Sequence, residues 1–187
     1  MAIPATERWT AFRDEPPEGD VLNPHPRALP VTDARSRPMN QQSLLGLAGF
    51  VQLHRIHYLS YARARLLDET ASQAAVDATI SVVAGRWSEL LRNARPAADA
   101  WQQLRAQIQA VSRDADGPDP AVGRLYCALP QDTADTALLR WRLSMTPEAI
   151  ADLMGIDIPT VTASLLTARR QFSDTALRQL EHHASQQ

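Results

Sequence analysis

The stretch LSMTPEAIADLMGIDIPTVTASLLTARRQF, residues 143–172, decides the fold because it holds the caps and the turn of two short helices. Thr146 is a favourable N-cap for a helix that we predict from Pro147 to about Met154. Gly155 then tolerates the left-handed backbone of a sharp turn, and Asp157 is a favourable N-cap for a second helix. This order of caps and turn predicts a helix-turn-helix.

The second helix is predicted from Ile158 to about Phe172 and occupies the recognition position. Its polar side chains are therefore the candidate contacts to DNA, either to base edges or to phosphates. These candidates are Thr160, Thr162, Ser164, Thr167, Arg169 and Arg170. The shared core of the two helices is predicted to contain Ile150, Ala151, Ile156, Val161 and Leu165.

Three more helices are predicted upstream, because apolar residues recur there every three or four positions. The first series is Leu53, Ile56, Leu59 and Leu66; the second is Val76, Ile80, Val83, Trp87 and Leu91; the third is Trp101, Leu104, Ile108 and Val111. No run alternates with a period of two over a length that would form a sheet. The predicted fold class is therefore all-α.

Composition divides the chain into five segments. Residues 1–43 hold seven of the 13 prolines, and we expect them to be disordered or extended. Residues 44–111 are predicted to form a helical domain, and residues 124–174 a helix-turn-helix domain. The stretch 112–123, rich in aspartate, proline and glycine, is predicted to be the linker between these two small domains. Residues 175–187 are predicted to be a C-terminal tail.

Several functional classes are disfavoured by the residues that are scarce. The single cysteine, Cys127, excludes a disulfide framework, and its apolar neighbours favour a small core residue. His54 and His57 lack a third metal ligand, and no glycine-rich phosphate loop or convergent catalytic set is present. We therefore expect no enzyme activity, no cofactor and no metal. No apolar run reaches the ~18 residues of a membrane span, so we expect a cytoplasmic protein with no membrane partner.

The chain resembles the extracytoplasmic-function sigma factor family over residues 44–172. The helix-turn-helix is preceded by LYCALPQDTADTALLRWRLSM, in which Leu129-Pro130 precedes a helix that ends in Leu139-Arg140, as in that family. The upstream stretch FVQLHRIHYLSYARARLLDETASQAAVDATISVVAGRWSELL is similar to the family's N-terminal domain, and residues 98–101 resemble the helix after it. The matching segments occur in the family's order.

The resemblance implies a transcription regulator whose N-terminal domain binds core RNA polymerase and opens promoter DNA. It also implies that the helix-turn-helix recognises the −35 promoter element. The candidate contacts to polymerase or single-stranded DNA are Arg55, Tyr58, Tyr61, Arg63, Arg65 and Asp77. Aromatic and cationic side chains suit single strands because bases stack on rings and phosphates pair with arginine. In the alternative, the tyrosines pack between helices and the arginines form a solvated face.

The sequence also departs from the family at the surface that would meet DNA. The recognition helix has no basic residue before Arg169, and residues 121–187 carry six arginines and seven acids. Few phosphate contacts predict weak DNA binding with little dependence on salt. The alternative function is therefore a sigma-like protein that acts through contacts with a regulatory protein partner.

Overall fold

The computed structural model describes residues 41–112 and 119–182. The predicted disordered segment lies outside this range, apart from residues 41–43, which begin the first helix. All regular secondary structure in the described ranges is helical, which confirms the predicted all-α class.

The first described range contains four helices, which we call the N-terminal half. They are α1 (Gln41–Leu66), α2 (Glu69–Gly85), α3 (Trp87–Leu90) and α4 (Pro96–Ser112). Asp68 starts α2 as its N-cap, because its side chain accepts a hydrogen bond from the Ala71 backbone N–H at 2.7 Å. Helix α2 packs against both α1 and α4, so these three helices form one bundle.

The second described range contains five helices, which we call the C-terminal half. They are α5 (Pro120–Ala128), α6 (Gln131–Ala137), α7 (Pro147–Met154), α8 (Ile158–Gln171) and α9 (Asp174–His182). A π-helical turn, Leu138–Arg142, continues α6. The carboxylate of Asp119 caps α5 and also pairs with the buried Arg142 at 3.4 Å, which ties this turn to α5.

The two halves share a single main core, so two separate domains joined by a linker are not confirmed. The described residues belong to one compact unit, and one cluster of buried side chains contains both Leu104 of α4 and Ile150 of α7. Residues 120–123, predicted to lie in the linker, form the start of α5. Residues 175–182, predicted to be a tail, belong to α9, whose Leu177 and Leu180 are buried.

The buried face of α1 differs from the predicted one. The predicted apolar series includes Leu53 and Ile56, but these two side chains are 64% and 68% exposed. The buried face instead contains His54, Tyr58 and Tyr61. The other two residues of the predicted series do belong to the core, since Leu66 is buried and Leu59 packs against it. Apolar spacing therefore identified the helix and part of its buried face, and aromatic residues with polar ends supply the rest of that face.

Candidate nucleic-acid interface

The helix-turn-helix forms as the sequence predicts. The Thr146 side chain accepts a hydrogen bond from the Ala149 N–H at 3.2 Å, and Asp157 accepts one from the Thr160 N–H at 2.8 Å. Gly155 adopts a left-handed backbone with φ of 65°. Helices α7 and α8 are bent by 113° relative to each other. The predicted core also forms, since Ile150, Ala151 and Val161 are buried and Ile156 and Leu165 pack against them.

The turn of this motif lies directly against α4 of the N-terminal half. A Cβ added at Gly155 would lie 2.2 Å from the Ala98 nitrogen and 2.9 Å from the Ala97 carbonyl carbon. No side chain fits into that gap, and the positive φ is itself unfavourable for other residues. Glycine at position 155 therefore serves both the turn and the contact between the halves.

The side chains of α8 that were predicted to contact DNA lie along this helix, but several hydroxyls already have partners. Thr162 Oγ1 donates to the Ile158 carbonyl at 3.0 Å, and Thr167 Oγ1 donates to the Ala163 carbonyl at 2.9 Å. Thr160 Oγ1 donates to the Asp157 carboxylate at 2.7 Å. Ser164 is half-buried, whereas Arg169 and Arg170 are exposed. The two arginines are therefore the strongest candidates for phosphate contacts.

One stripe along the outward face of α8 is mainly apolar. Pro159, Ala163, Leu166 and Arg170 recur at steps of four, three and four residues, so they lie on one stripe opposite the buried Val161 and Ala168. Leu166 is 48% exposed, and Ile158 beside the stripe is 45% exposed. We call Pro159, Ala163, Leu166 and Arg170 the α8 stripe. It offers one cation to a nucleic acid, and its apolar area resembles a surface for protein contact.

Three of the predicted contacts in the N-terminal half, Tyr58, Tyr61 and Arg65, are buried or largely buried in this structure. Tyr58 and Tyr61 are 1% and 0% exposed, so their rings are not accessible for stacking on bases. Tyr61 and Tyr58 instead pack against Trp101, with ring centroids 4.6 Å and 6.0 Å away. The Arg65 guanidinium is turned inward over the Tyr126 ring, at 3.7 Å from its centroid. For the tyrosines, the alternative of packing between helices is correct.

The other three predicted contacts remain on the surface, where they form ion pairs within the N-terminal half. Arg55 of α1 pairs with Asp77 of α2 at 2.9 Å, and both side chains are at least half exposed. Arg63 makes a two-pronged pair with Glu69 at the start of α2. These arginines carry charge on the surface, but nearby carboxylates balance it.

Around Asp135 lies a buried polar cluster that the sequence did not reveal. Its Oδ1 accepts hydrogen bonds from Tyr61 Oη and Tyr126 Oη, both at 2.5 Å. Arg65 lies 3.7 Å from Oδ1, and Arg105 Nε lies 3.2 Å from Oδ2. We call these five residues the Asp135 cluster. Its only visible sequence signal is a lone acid within the otherwise uncharged run TADTALL.

Burial controls the titration of the Asp135 cluster. It raises the pKa of Asp135, because removing a carboxylate from water outweighs the opposing hydrogen bonds and the two arginines. It also raises the pKa of Tyr61 and Tyr126, chiefly by desolvation and further by their contact with the Asp135 carboxylate. Both tyrosines therefore stay protonated as hydrogen-bond donors.

His54 packs among aromatic rings, whereas Cys127 lies on the surface. His54 lies beside Phe50 and Tyr58, with ring centroids 4.3 Å and 5.6 Å away, and desolvation lowers its pKa. Cys127 is exposed, so its predicted place in the core is wrong. Among the residues described, no three His, Cys, Asp or Glu side chains are grouped so that they could hold a metal ion.

An open cleft of about 740 Å³ lies where α1 and the π-helical turn both end. Leu67 and Ser144 are among the residues that line this cleft. Both have a left-handed backbone conformation, with φ of 56° and 54°. Each follows the end of a helical segment, where a left-handed residue commonly terminates the helix. Helix termination therefore accounts for both conformations.

No protein-family model, curated protein or solved structure matches the chain. Within the described ranges, no single helix is long and apolar enough to cross a membrane, and the one pair that reaches the required length together is the sharply bent α7 and α8.

Proposed function

We propose that the protein is a cytoplasmic transcription regulator of the sigma-factor type that binds core RNA polymerase and makes weak contacts with promoter DNA. The observation that carries the proposal is the capped helix-turn-helix with α8 exposed in the recognition position. The sequence resemblance of residues 44–172 to extracytoplasmic-function sigma factors supports the same function. No catalytic role is proposed.

The test combines polymerase binding with transcription. Purified full-length protein is incubated with core RNA polymerase from the same organism, and the complex is separated by size and assayed on genomic promoter fragments. We expect a stable complex that starts transcription at defined sites. A protein that neither associates with core polymerase nor changes the sites of initiation would contradict the proposal.

A second candidate is regulation through protein contact alone, and the α8 stripe favours it. Its exposed Leu166 is an apolar side chain where a DNA-reading helix would place a polar or basic one. In this case α8 binds a protein partner, such as another regulator, and DNA plays no part. Polymerase binding through the N-terminal half is compatible with either candidate.

Leu166→Arg distinguishes the two candidates. The added cation strengthens DNA binding if α8 faces phosphates, and it breaks an apolar contact if α8 faces a protein. The matched control is Leu91→Arg, because Leu91 is 51% exposed and lies in the N-terminal half. A gain in DNA affinity at low salt for Leu166→Arg alone supports the first candidate. Loss of a co-purifying protein with Leu166→Arg alone, without any DNA binding, supports the second.

A further inference from the structure

The outer face of α1 is uncharged over the first half of the helix. Leu45, Gly49, Gln52 and Ile56 recur at steps of four, three and four residues, so they share one stripe, and all four are exposed. We call these four residues the outer α1 stripe. No Asp, Glu, Lys or Arg occurs in the sequence from position 41 to position 54. A helix face that meets only water usually carries charged side chains, so this face resembles a contact surface.

Large apolar side chains project from this stripe. Leu45 is 67% exposed and Ile56 is 68% exposed, and Leu53 beside the stripe is 64% exposed. Gly49 lies between Leu45 and Ile56 without a side chain, and a Cβ added there would have nothing within 4 Å. The stripe therefore has a gap between two projecting side chains, and a close-packed contact requires a partner that fills this gap.

The stripe is complementary to a second copy of itself in the antiparallel orientation. When two α1 helices lie antiparallel with a two-fold axis beside Gln52, Ile56 of each chain faces Gly49 of the other. Leu45 of each chain then faces Ser60 of the other, which is also a small side chain. The two Gln52 amides meet at the axis, where each amide can both donate and accept a hydrogen bond. Large side chains therefore meet small ones along the whole contact.

The positions of the arginines favour the same orientation. The arginines of α1, Arg55, Arg63 and Arg65, all lie in its second half, and the helix contains no acid. A parallel pair would bring these like charges side by side, whereas an antiparallel pair places them at opposite ends. Arg55 and Arg63 are also paired within their own chain, with Asp77 and Glu69. The stripe therefore suits a neutral, apolar partner such as its own copy, and it offers no counter-charge to a strongly charged one.

We propose that the protein forms a two-fold symmetric homodimer through the outer α1 stripe. From Leu45 to Ser60 the contact runs for about 23 Å, and a helix with its side chains is about 10 Å wide. A contact of this size belongs to the class below about 1,200 Å² of total buried area, which is typical of transient association. The dimer therefore exchanges with the monomer in solution. Its formation does not depend on the proposed function.

Sedimentation velocity of the full chain over a wide range of concentrations tests for the dimer. We expect a reversible shift from monomer to dimer as the concentration rises. Ile56→Glu places a carboxylate at the contact in both copies and should raise the dissociation constant by at least about tenfold. Leu91→Glu is the matched control, because Leu91 is 51% exposed and lies outside α1, and this variant should dimerise like the wild type. A wild type that stays monomeric throughout, or equal effects of the two substitutions, overturns the inference.

An exchange of side-chain size at positions 49 and 56 tests the register. Gly49→Leu adds apolar area but fills the gap that receives Ile56 of the other copy, so it should weaken the dimer. Adding Ile56→Ala to Gly49→Leu exchanges the large and the small side chain, and it should recover much of the lost affinity. Circular dichroism should show the same helix content in both variants. Tighter association of Gly49→Leu, or no recovery in the double variant, overturns the inference.

Disulfide cross-linking tests the orientation. Cys127→Ser removes the only cysteine of the chain, and Gln52→Cys then places one thiol of each copy beside the two-fold axis. We expect oxidation to link two chains at position 52. Leu45→Cys in the same background should not link to its own copy, because the antiparallel order separates the two residues by about 23 Å. Linkage at position 45 in place of position 52 overturns the inference. No DNA or polymerase takes part in these measurements, so their failure is separate from failure of the proposed function.

Discussion

Tyr61 donates a hydrogen bond to Asp135 at 2.5 Å although the two residues are 74 positions apart in the chain. The bond joins α1 to α6 and is completely buried. It connects the part of the chain that resembles a polymerase-binding domain to the part that carries the helix-turn-helix. The arrangement of the two halves therefore depends on polar contacts at this site as well as on apolar packing.

Tyr61→Phe tests how much this hydrogen bond contributes to the free energy of unfolding. Removal of a donor to a buried carboxylate is expected to lower the free energy of unfolding by about 1–3 kcal/mol. Tyr58→Phe is the matched control, because Tyr58 is equally buried but its hydroxyl has no partner. Urea denaturation should show a clear decrease for Tyr61→Phe and no decrease for Tyr58→Phe. Equal effects would contradict the assigned role of the Tyr61 hydroxyl.

Asp135 should give stability a pH dependence of defined sign. Its pKa in the folded protein is raised above the ordinary value of 3.8, so the folded state holds its proton at pH values where the unfolded state has released it. Above that ordinary value, rising pH therefore favours unfolding until the raised pKa is passed. Tyr61, Arg65, Arg105 and Tyr126 face the carboxyl group. Burial raises the pKa of Tyr61 and Tyr126, so neither tyrosine should titrate in this window.

The measurement compares the wild type with Asp135→Asn in urea denaturation from pH 4 upward. The stability of the wild type relative to the variant should fall as the pH rises and then level off. A relative stability that rises over this window would mean that the arginines outweigh burial at Asp135.

Local chemistry explains which parts of the fold the sequence could predict. The caps at Thr146 and Asp157 act within three residues, and the turn at Gly155 depends on one backbone conformation, so all three could be recognised from neighbouring residues. The buried face of α1 could not be recognised in this way. This face meets residues far along the chain, such as Asp135, which contacts Tyr61 and Arg65, and Leu53 and Ile56 gave a misleading apolar pattern.

The same distinction between local and distant contacts explains which features of the candidate site the sequence could predict. The sequence placed Arg169 and Arg170 on an exposed helix end, and the structure places them there. It gave no indication that Thr162 and Thr167 satisfy their hydroxyls within α8, because such bonds depend on side-chain rotamers. The sequence also favoured a core position for Cys127, because the neighbouring residues are apolar. That prediction failed because the exposure of a short helix depends on which of its faces the other helices leave uncovered.

Gly155→Ala should be strongly destabilising. A left-handed backbone costs an L-residue about 1–2 kcal/mol, and the added Cβ would also collide with the Ala98 backbone. Gly49→Ala is the matched control, because Gly49 is an exposed helical glycine with nothing within 4 Å of the added Cβ. That change should stabilise the protein by about 0.5–1 kcal/mol. Thermal denaturation should therefore show the melting temperatures of the two variants shifted in opposite directions from that of the wild type.

The last prediction concerns how α8 binds DNA. If Arg169 and Arg170 contact phosphates, replacing both with alanine should weaken DNA binding at low salt. The slope of the logarithm of the binding constant against the logarithm of salt concentration should also become shallower, by about 0.9 for each phosphate that is no longer neutralised. The control is the pair Arg92→Ala and Arg124→Ala, two exposed arginines outside α8, which changes the net charge equally. Fluorescence anisotropy with a labelled duplex measures both quantities. If both pairs reduce the slope equally, binding depends on overall charge and α8 does not position the protein on DNA.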